Sequence, residues 1–156
     1  MLSAAYEVVE KVVAARSVAG VQARVPRGRV GQEFGRYLDQ VYAARAAGTV
    51  ALDGQNIFIY RGCTADQLSV DFCVGVTAPF TAAGAVVPLE TPTGVAATTT
   101  HIGDYGAMGG AHAAVIEWCR ENGRELTGVS WEIYSHWNPD PAQRRTDIYH
   151  LLASRA

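Results

Sequence analysis

Gly128-Val129-Ser130-Trp131-Glu132-Ile133-Tyr134-Ser135-His136-Trp137 is the stretch on which the reading of the fold turns. Valine, isoleucine, tyrosine and tryptophan crowd it, and a Glu121-Asn122-Gly123-Arg124 turn region precedes it, so it reads as one β-strand. The two-residue period puts Ser130, Glu132, Tyr134 and His136 on one face and Val129, Trp131, Ile133, Ser135 and Trp137 on the other. One carboxylate, Glu132, then sits mid-strand among aromatic residues. A buried carboxylate has to find a hydrogen-bond donor, a cation or a proton, because an unpaired charge in an apolar setting is costly. Glu132 is therefore the first candidate for a binding site; the alternative is a carboxylate on a solvated sheet face.

Working outward, Asn138-Pro139-Asp140-Pro141 forms a loop and residues 146–152 form the last strand. On the other side, Tyr105, Met108, His112, Val115, Trp118 and Cys119 mark a helix that Asp104 can cap and Asn122-Gly123 stops. Gly94–Ile102 reads as a strand by its β-branched content. The first half has the same order. Residues 6–25 read as one strand or two short ones, and Val30, Phe34, Leu38, Val41, Tyr42 and Arg45 mark a helix over 30–47, ended by Gly48. Residues 56–60 and 68–76 then form an antiparallel hairpin, and a Pro- and Gly-rich loop follows over 79–94.

Both halves thus read strand, helix, strand, strand. The expectation is one α+β domain over residues 1–156, a tandem β-α-β-β repeat with pseudo-repeats at about 6–78 and 93–152, without residue identity between halves. Such units make an antiparallel or mixed sheet with both helices on one face, and the seam between repeats is the expected ligand cleft.

Composition narrows the function. The 156 residues carry a formal net charge of -2, so no basic excess exists to grip phosphates and no direct nucleic-acid contact is expected. Hydrophobic residues reach 49%, yet no run approaches the roughly 18 consecutive apolar residues of a membrane span. No signal peptide is read at the N-terminus, and a cytoplasmic protein is expected. Cys63, Cys73 and Cys119 are widely spaced and read as reduced thiols, two of them in the core.

Conventional catalytic patterns mostly fail. Gly128-Val129-Ser130-Trp131 begins like a nucleophile elbow, but Glu132 stands where that motif needs glycine. His101, His112, His136 and His150 show no metal-ligand spacing, so no metal and no cofactor is expected, and local hydrogen bonds account for His101 and His112. Gly109-Gly110 reads as close helix packing rather than a phosphate loop. What remains is one acid with many aromatics: Tyr60, Phe72, Tyr105, Trp131, Tyr134, Trp137 and Tyr149. Ring faces attract cations and a carboxylate neutralises them, so this composition suits a pocket for flat, apolar, often cationic molecules; the alternative is that the rings fill the core.

The run His101-Ile102-Gly103-Asp104-Tyr105 with Met108, Ala111-His112, Trp118 and Glu121-Asn122-Gly123 resembles the GyrI-like small-molecule-binding domain. Gly128 with Trp131-Glu132-Ile133-Tyr134, and Asp140-Pro141 before Arg145-Thr146-Asp147-Ile148-Tyr149, is similar to that family's closing segment. The resemblance implies a tandem β-α-β-β (SHS2-type) fold and the role of an effector-binding module, as in multidrug-responsive regulators, in free-standing form. It places Glu132 in a ligand cleft, with Tyr149 as the last-strand tyrosine and Tyr105 as a further wall. Some free-standing relatives hydrolyse the cyclopropane of DNA-alkylating antibiotics, where the glutamate and a tyrosine activate water and hold the ligand; here those would be Glu132 and Tyr149. Asp147 stands where many relatives carry Glu, and His150-Leu151 replaces a hydrophobic-then-proline ending.

Three readings stay open. One is a module binding planar hydrophobic or cationic small molecules with Glu132 as anchor. Another is a hydrolase in the same cleft, with Glu132 as general base and a tyrosine as donor, serving self-resistance or detoxification. The third is a protein partner, for which Asp53, Asp66 and Asp71 offer a thin acidic patch. No helix-turn-helix is read, because the two repeats consume almost the whole length.

Overall fold

The computed structural model describes residues 6–155. Its elements are β1 (Val9–Val13), β2 (Ser17–Pro26), α1 (Val30–Ala46), β3 (Leu52–Cys63), β4 (Gln67–Val76), β5 (Val87–Glu90), β6 (Gly94–Ile102), α2 (Gly109–Glu121), β7 (Leu126–Tyr134) and β8 (Arg145–Leu152). The fold is α+β with antiparallel ladders, as the sequence pattern predicts. Both helices stop by the same local chemistry. Gly48 and Gly123 take φ of +80° and +63°, and Thr49 and Arg124 donate their backbone N–H groups back to Ala44 and Cys119. That is a left-handed C-terminal cap, which a side chain with a Cβ adopts only at a cost. No helix among the described residues is long and apolar enough to cross a membrane.

The chain divides into two compact units, a central one over Ala15–Pro92 and a terminal one built from Met1–Ala14 with Thr93–Ala156. The boundary differs from the expected pseudo-repeats at 6–78 and 93–152. β1 pairs antiparallel with β6, with Val9 opposite Thr98 and Val13 opposite Gly94, so the first strand belongs to the second half. The loop over 79–94 also contains β5, which pairs with the start of β2. Four residues interrupted by Pro88 carry too little alternation to read as a strand.

In the central unit the strand order is β3-β4-β2-β5. β4 is buried on both faces from Val70 to Gly75. On one face Phe72 meets Phe58 edge-on and lies flat under Tyr37 of α1, ring centroids 5.0 Å apart in each case. Leu38 and Val41 of the same helix are buried, and α1 packs on β2 and β4. On the opposite face Asp71 is buried but receives Arg61 Nε at 2.9 Å, and the same guanidinium reaches the Glu90 carbonyl. Asp53 is likewise paired, with Arg16. Two of the three carboxylates of the expected acidic patch are thus already neutralised.

The terminal unit has strand order β1-β6-β8-β7. Ala111, Val115 and Cys119 recur every four residues on α2 and are buried. Val115 and Cys119 pack with Ala97 and Leu152. Cys73 and Cys119 are buried and Cys63 is exposed, all three as free thiols; burial pushes the Cys119 thiol up from its ordinary value.

Gly20 pairs with Cys73 across β2 and β4, and a Cβ there would lie 2.6 Å from Cys73 Sγ, 3.0 Å from Leu89 and 3.2 Å from the Phe72 carbonyl. Gly20→Ala is expected to destabilise the protein by about 1–3 kcal/mol through overpacking, read as a lowered urea midpoint; an unchanged midpoint would mean the ladder shifts freely.

Candidate functional site

The terminal unit assembles the chemistry. Ladder register decides which side chains meet: Ser130 lies opposite His150, Glu132 opposite Ile148 and Tyr134 opposite Thr146, while Ala97, Thr99 and His101 of β6 face the same three residues of β8. Since Ala97 and Leu152 pack under α2, this whole set points to the helix side. Ser130, Glu132 and Tyr134 share that face as the alternation predicts, while β7 ends at Tyr134, so His136 and Trp137 lie in the loop beyond it. A register shift between Leu126 and Ser130, where Gly128 takes φ of +91°, inserts extra residues into β7 but keeps Glu132 on the helix side.

Glu132 is 4% exposed. Tyr134 donates its hydroxyl to Glu132 Oε1 at 2.5 Å, and His112 Nε2, one position past Ala111 on α2, lies 2.7 Å from Oε2. His112 Nδ1 in turn lies 2.9 Å from His150 Nε2. With Glu132 as a carboxylate, His112 Nε2 carries the hydrogen of its bond, and a single hydrogen is shared between the two imidazoles. The result is a continuous chain of titratable groups, Tyr134–Glu132–His112–His150, contributed by two strands and a helix. Burial, reinforced by His112 beside it and opposed by Glu132, pushes His150 down from 6.5 to about 4. His150 is therefore a neutral donor or acceptor near neutrality.

Aromatic rings continue from this floor. The Tyr105 ring stands edge-on to Tyr134 with centroids 5.5 Å apart. Arg144 holds its guanidinium carbon 5.3 Å from the centroid of Tyr105 and 5.3 Å from that of Trp137. Trp137 is 66% exposed. Tyr105 sits in a short 3-10 turn, Tyr105–Ala107, that Asp104 caps through the Gly106 N–H.

The other expected site residues are placed differently. Tyr149, expected beside Glu132, points from the opposite face of the sheet, because it pairs with Trp131 in the register; the two rings stack at 5.1 Å with planes 5° apart. Its phenol is raised above its usual value by burial, then by Asp147. Trp131 is 2% exposed in that stack. Tyr60 and Phe72 belong to the central unit, where Phe72 is wholly buried core. His101 donates from Nε2 to the Asp104 carbonyl at 2.9 Å and accepts from Tyr6 at 2.7 Å, a satisfied buried histidine. His112, by contrast, reaches across the fold. Sequence reasoning missed His112 as a partner of Glu132 and His150 as a partner of His112. The alternation Ile148-Tyr149-His150-Leu151-Leu152 carries a usable signal, a histidine on the apolar face of a strand.

The terminal unit thus holds a buried carboxylate under the helix of a β-α-β-β unit, with Tyr134 and Tyr105 beside it. The GyrI-like small molecule binding domain matches over residues 6–152, and the chain belongs to the GyrI-like family. No curated protein matches it. Among solved structures it is similar to the regulator EcmrR in a complex with DNA, at 19% identity and TM-score 0.79 over 97% of this chain and 59% of EcmrR, so it spans less than two thirds of that chain. The isolated EcmrR C-terminal domain gives 22% identity and TM-score 0.73, covering 96% of this chain and 99% of that one. A hydrolase from Listeria innocua gives 13% and 0.63, over 94% and 92% of the two chains. SAV2435 bound to tetraphenylphosphonium gives 11% and 0.65, over 96% and 94%. At these identities the likeness is one of fold.

The position of His150 has a consequence for stability. Its lowered value in the fold means the unfolded chain takes up the proton first as pH falls, so stability is lost between about 6.5 and about 4. Between about pH 7.5 and about pH 5, urea unfolding is expected to show about 1–2 kcal/mol more loss for the wild type than for His150→Gln; equal losses would place His150 in water.

Proposed function

We propose that this chain binds planar hydrophobic or cationic small molecules, aromatic cations foremost, with Glu132 as the anionic anchor. The observation that carries the proposal is a carboxylate 4% exposed, with an imidazole and a phenol on its oxygens, the Tyr105 ring against that phenol, and the Arg144 guanidinium between Tyr105 and the exposed Trp137. Such a group has lost its water and keeps only fixed donors, so a cation that displaces one of them gains a nearly undiluted charge interaction. Tyr134 and Tyr105 supply ring surface beside it, and Trp137 supplies it at the exposed end. A relative of the same fold is bound to tetraphenylphosphonium, a cation carried by four aromatic rings. One acid and several rings accept many ligands by construction, which suits a sensor or a sequestering module.

Calorimetric titration with tetraphenylphosphonium tests this. Glu132→Gln is expected to weaken binding at least about tenfold, ~1.4 kcal/mol, with the thermal midpoint checked in parallel. Binding unaffected by the substitution would sink the anchor role.

A hydrolase in the same site is the second reading, favoured by the His112–His150 pair. A counter-ion for a cation needs no imidazoles behind it, whereas a general base gains from a chain that carries its proton away. Water would lose a proton to Glu132 as its oxygen attacks a cyclopropane carbon. The electron pair of the broken carbon–carbon bond would pass to a conjugated carbonyl and be protonated there. Tyr134, on the face of Glu132, takes the donor role in place of Tyr149. Antibiotic detoxification or self-resistance would follow from such chemistry, and a structural relative is described as a hydrolase. With a cyclopropane-bearing alkylator, this reading expects a product heavier by one water, abolished in Glu132→Gln; ligand recovered unchanged by the wild type would leave binding alone.

A further inference from the structure

We infer that Arg144 is a resident cation occupying the outer part of the ligand site, and that it sets the site's preference among organic ions; this rests on the reading of Glu132 as the ligand's anchor. Exposure falls steadily along a file of touching groups. Trp137 is 66% exposed, Tyr105 and Tyr134 are half-buried, and Glu132 is 4% exposed. Arg144 lies in that file, its guanidinium carbon 5.3 Å from the centroids of both Tyr105 and Trp137. Its Nε donates to the Asn138 carbonyl at 2.9 Å. Among the described residues no carboxylate pairs with it, whereas its neighbour Arg145 is paired with Asp147. Ring faces and one carbonyl, rather than an opposite charge, hold this cation in place.

The backbone beneath it is held by hydrogen bonds that do not involve the side chain. Gly103 donates to the Arg144 carbonyl at 2.8 Å, and Arg144 donates to the Pro141 carbonyl at 3.2 Å at the end of the turn Pro141–Gln143, which Asp140 caps. The side chain can therefore swing out to water while the loop keeps its shape. An organic cation heading for Glu132 needs the same two ring faces and is also repelled by the guanidinium. Its apparent affinity is reduced by the fraction of time those faces are covered. An anion of the same shape meets no such repulsion. Arg144 thus works as a charge filter: it turns away small cations, and it yields to delocalised ones whose own rings replace its stacking. Among cations, the class it admits is the large aromatic one, with the charge spread over stacking surface.

Tetraphenylphosphonium and tetraphenylborate, alike in shape and opposite in charge, separate charge from room. Arg144→Met keeps the bulk without the charge, and Arg144→Lys keeps the charge without the planar stack. Titrations of the wild type, both variants and Glu132→Gln are expected to show Arg144→Met binding tetraphenylphosphonium about fivefold more tightly than wild type. Tetraphenylborate should bind it no better, and Arg144→Lys should lie nearer the wild type. The Arg144 Nε–H resonance, displaced by the ring currents of Tyr105 and Trp137 in the free protein, should move towards its solvent-exposed position as the phosphonium is added. Arg144→Met unchanged while Glu132→Gln weakens binding would overturn the filter and leave the anchor standing. Both ions tightening alike would also overturn it, since room rather than charge would be the cause. Phosphonium binding insensitive to both positions, or absent from wild type and Arg144→Met, would overturn filter and anchor together.

Discussion

A carboxylate without water has to be surrounded by donors, and the terminal unit meets that requirement at Glu132. One donor, Tyr134, comes from the same strand two residues on, where strand alternation brings it to the same face. The other, His112, comes from α2 and is available only when that helix is docked. Docking in turn depends on Ala111, Val115 and Cys119 lying against a sheet face that offers Ala97 and Leu152. Removing His112 would leave a buried charge short of a donor, which costs more than an ordinary hydrogen bond contributes. Packing of the helix and chemistry of the site are therefore one problem: the apolar stripe seats α2, and the residue next to it completes the carboxylate's shell.

Register divides the aromatic residues between two tasks. Trp131 and Tyr149 stack on the face opposite α2, and Tyr134 and Tyr105 gather on the side of Glu132. A slip of one residue in β7 would exchange these sets, bringing Trp131 under the helix and turning Glu132 to the opposite face, away from His112. The irregularity at Gly128 avoids this, because β7 advances four residues from Leu126 to Ser130 while β8 moves back two from Leu152 to His150, and both are even steps. The central unit uses its rings differently. Phe58, Phe72 and Tyr37 form a closed contact that fills the space under α1.

A buried acid beside a phenol holds an organic cation or deprotonates a water, depending on what reaches it. Two further groups lie near this acid: the imidazole pair behind Glu132 and the guanidinium over Tyr105 and Trp137.

The amino-acid sequence by itself determined the order of the elements other than β5, the C-terminal ends of the helices and the placing of Glu132 mid-strand among aromatic residues. Those rest on local physics: β-branched content and alternation for the strands, a 3.6-residue stripe for the helices, glycines that can take positive φ at Gly48 and Gly123, and a lone acid in an aromatic strand. Family resemblance was legible for the same reason, since its motifs lie in short contiguous runs around 101–149. Tertiary structure alone decided which groups meet across long separations. Val9 pairs with Thr98, which assigns the first strand to the last half. His112 stands 20 residues from Glu132 and 38 from His150 in sequence, yet the three side chains form one chain of hydrogen bonds. Tyr149 stands next to His150 in the strand and points the other way. No local pattern contains these facts, because they follow from the register of one ladder against another and from the docking of a helix, both settled by burial of the whole core.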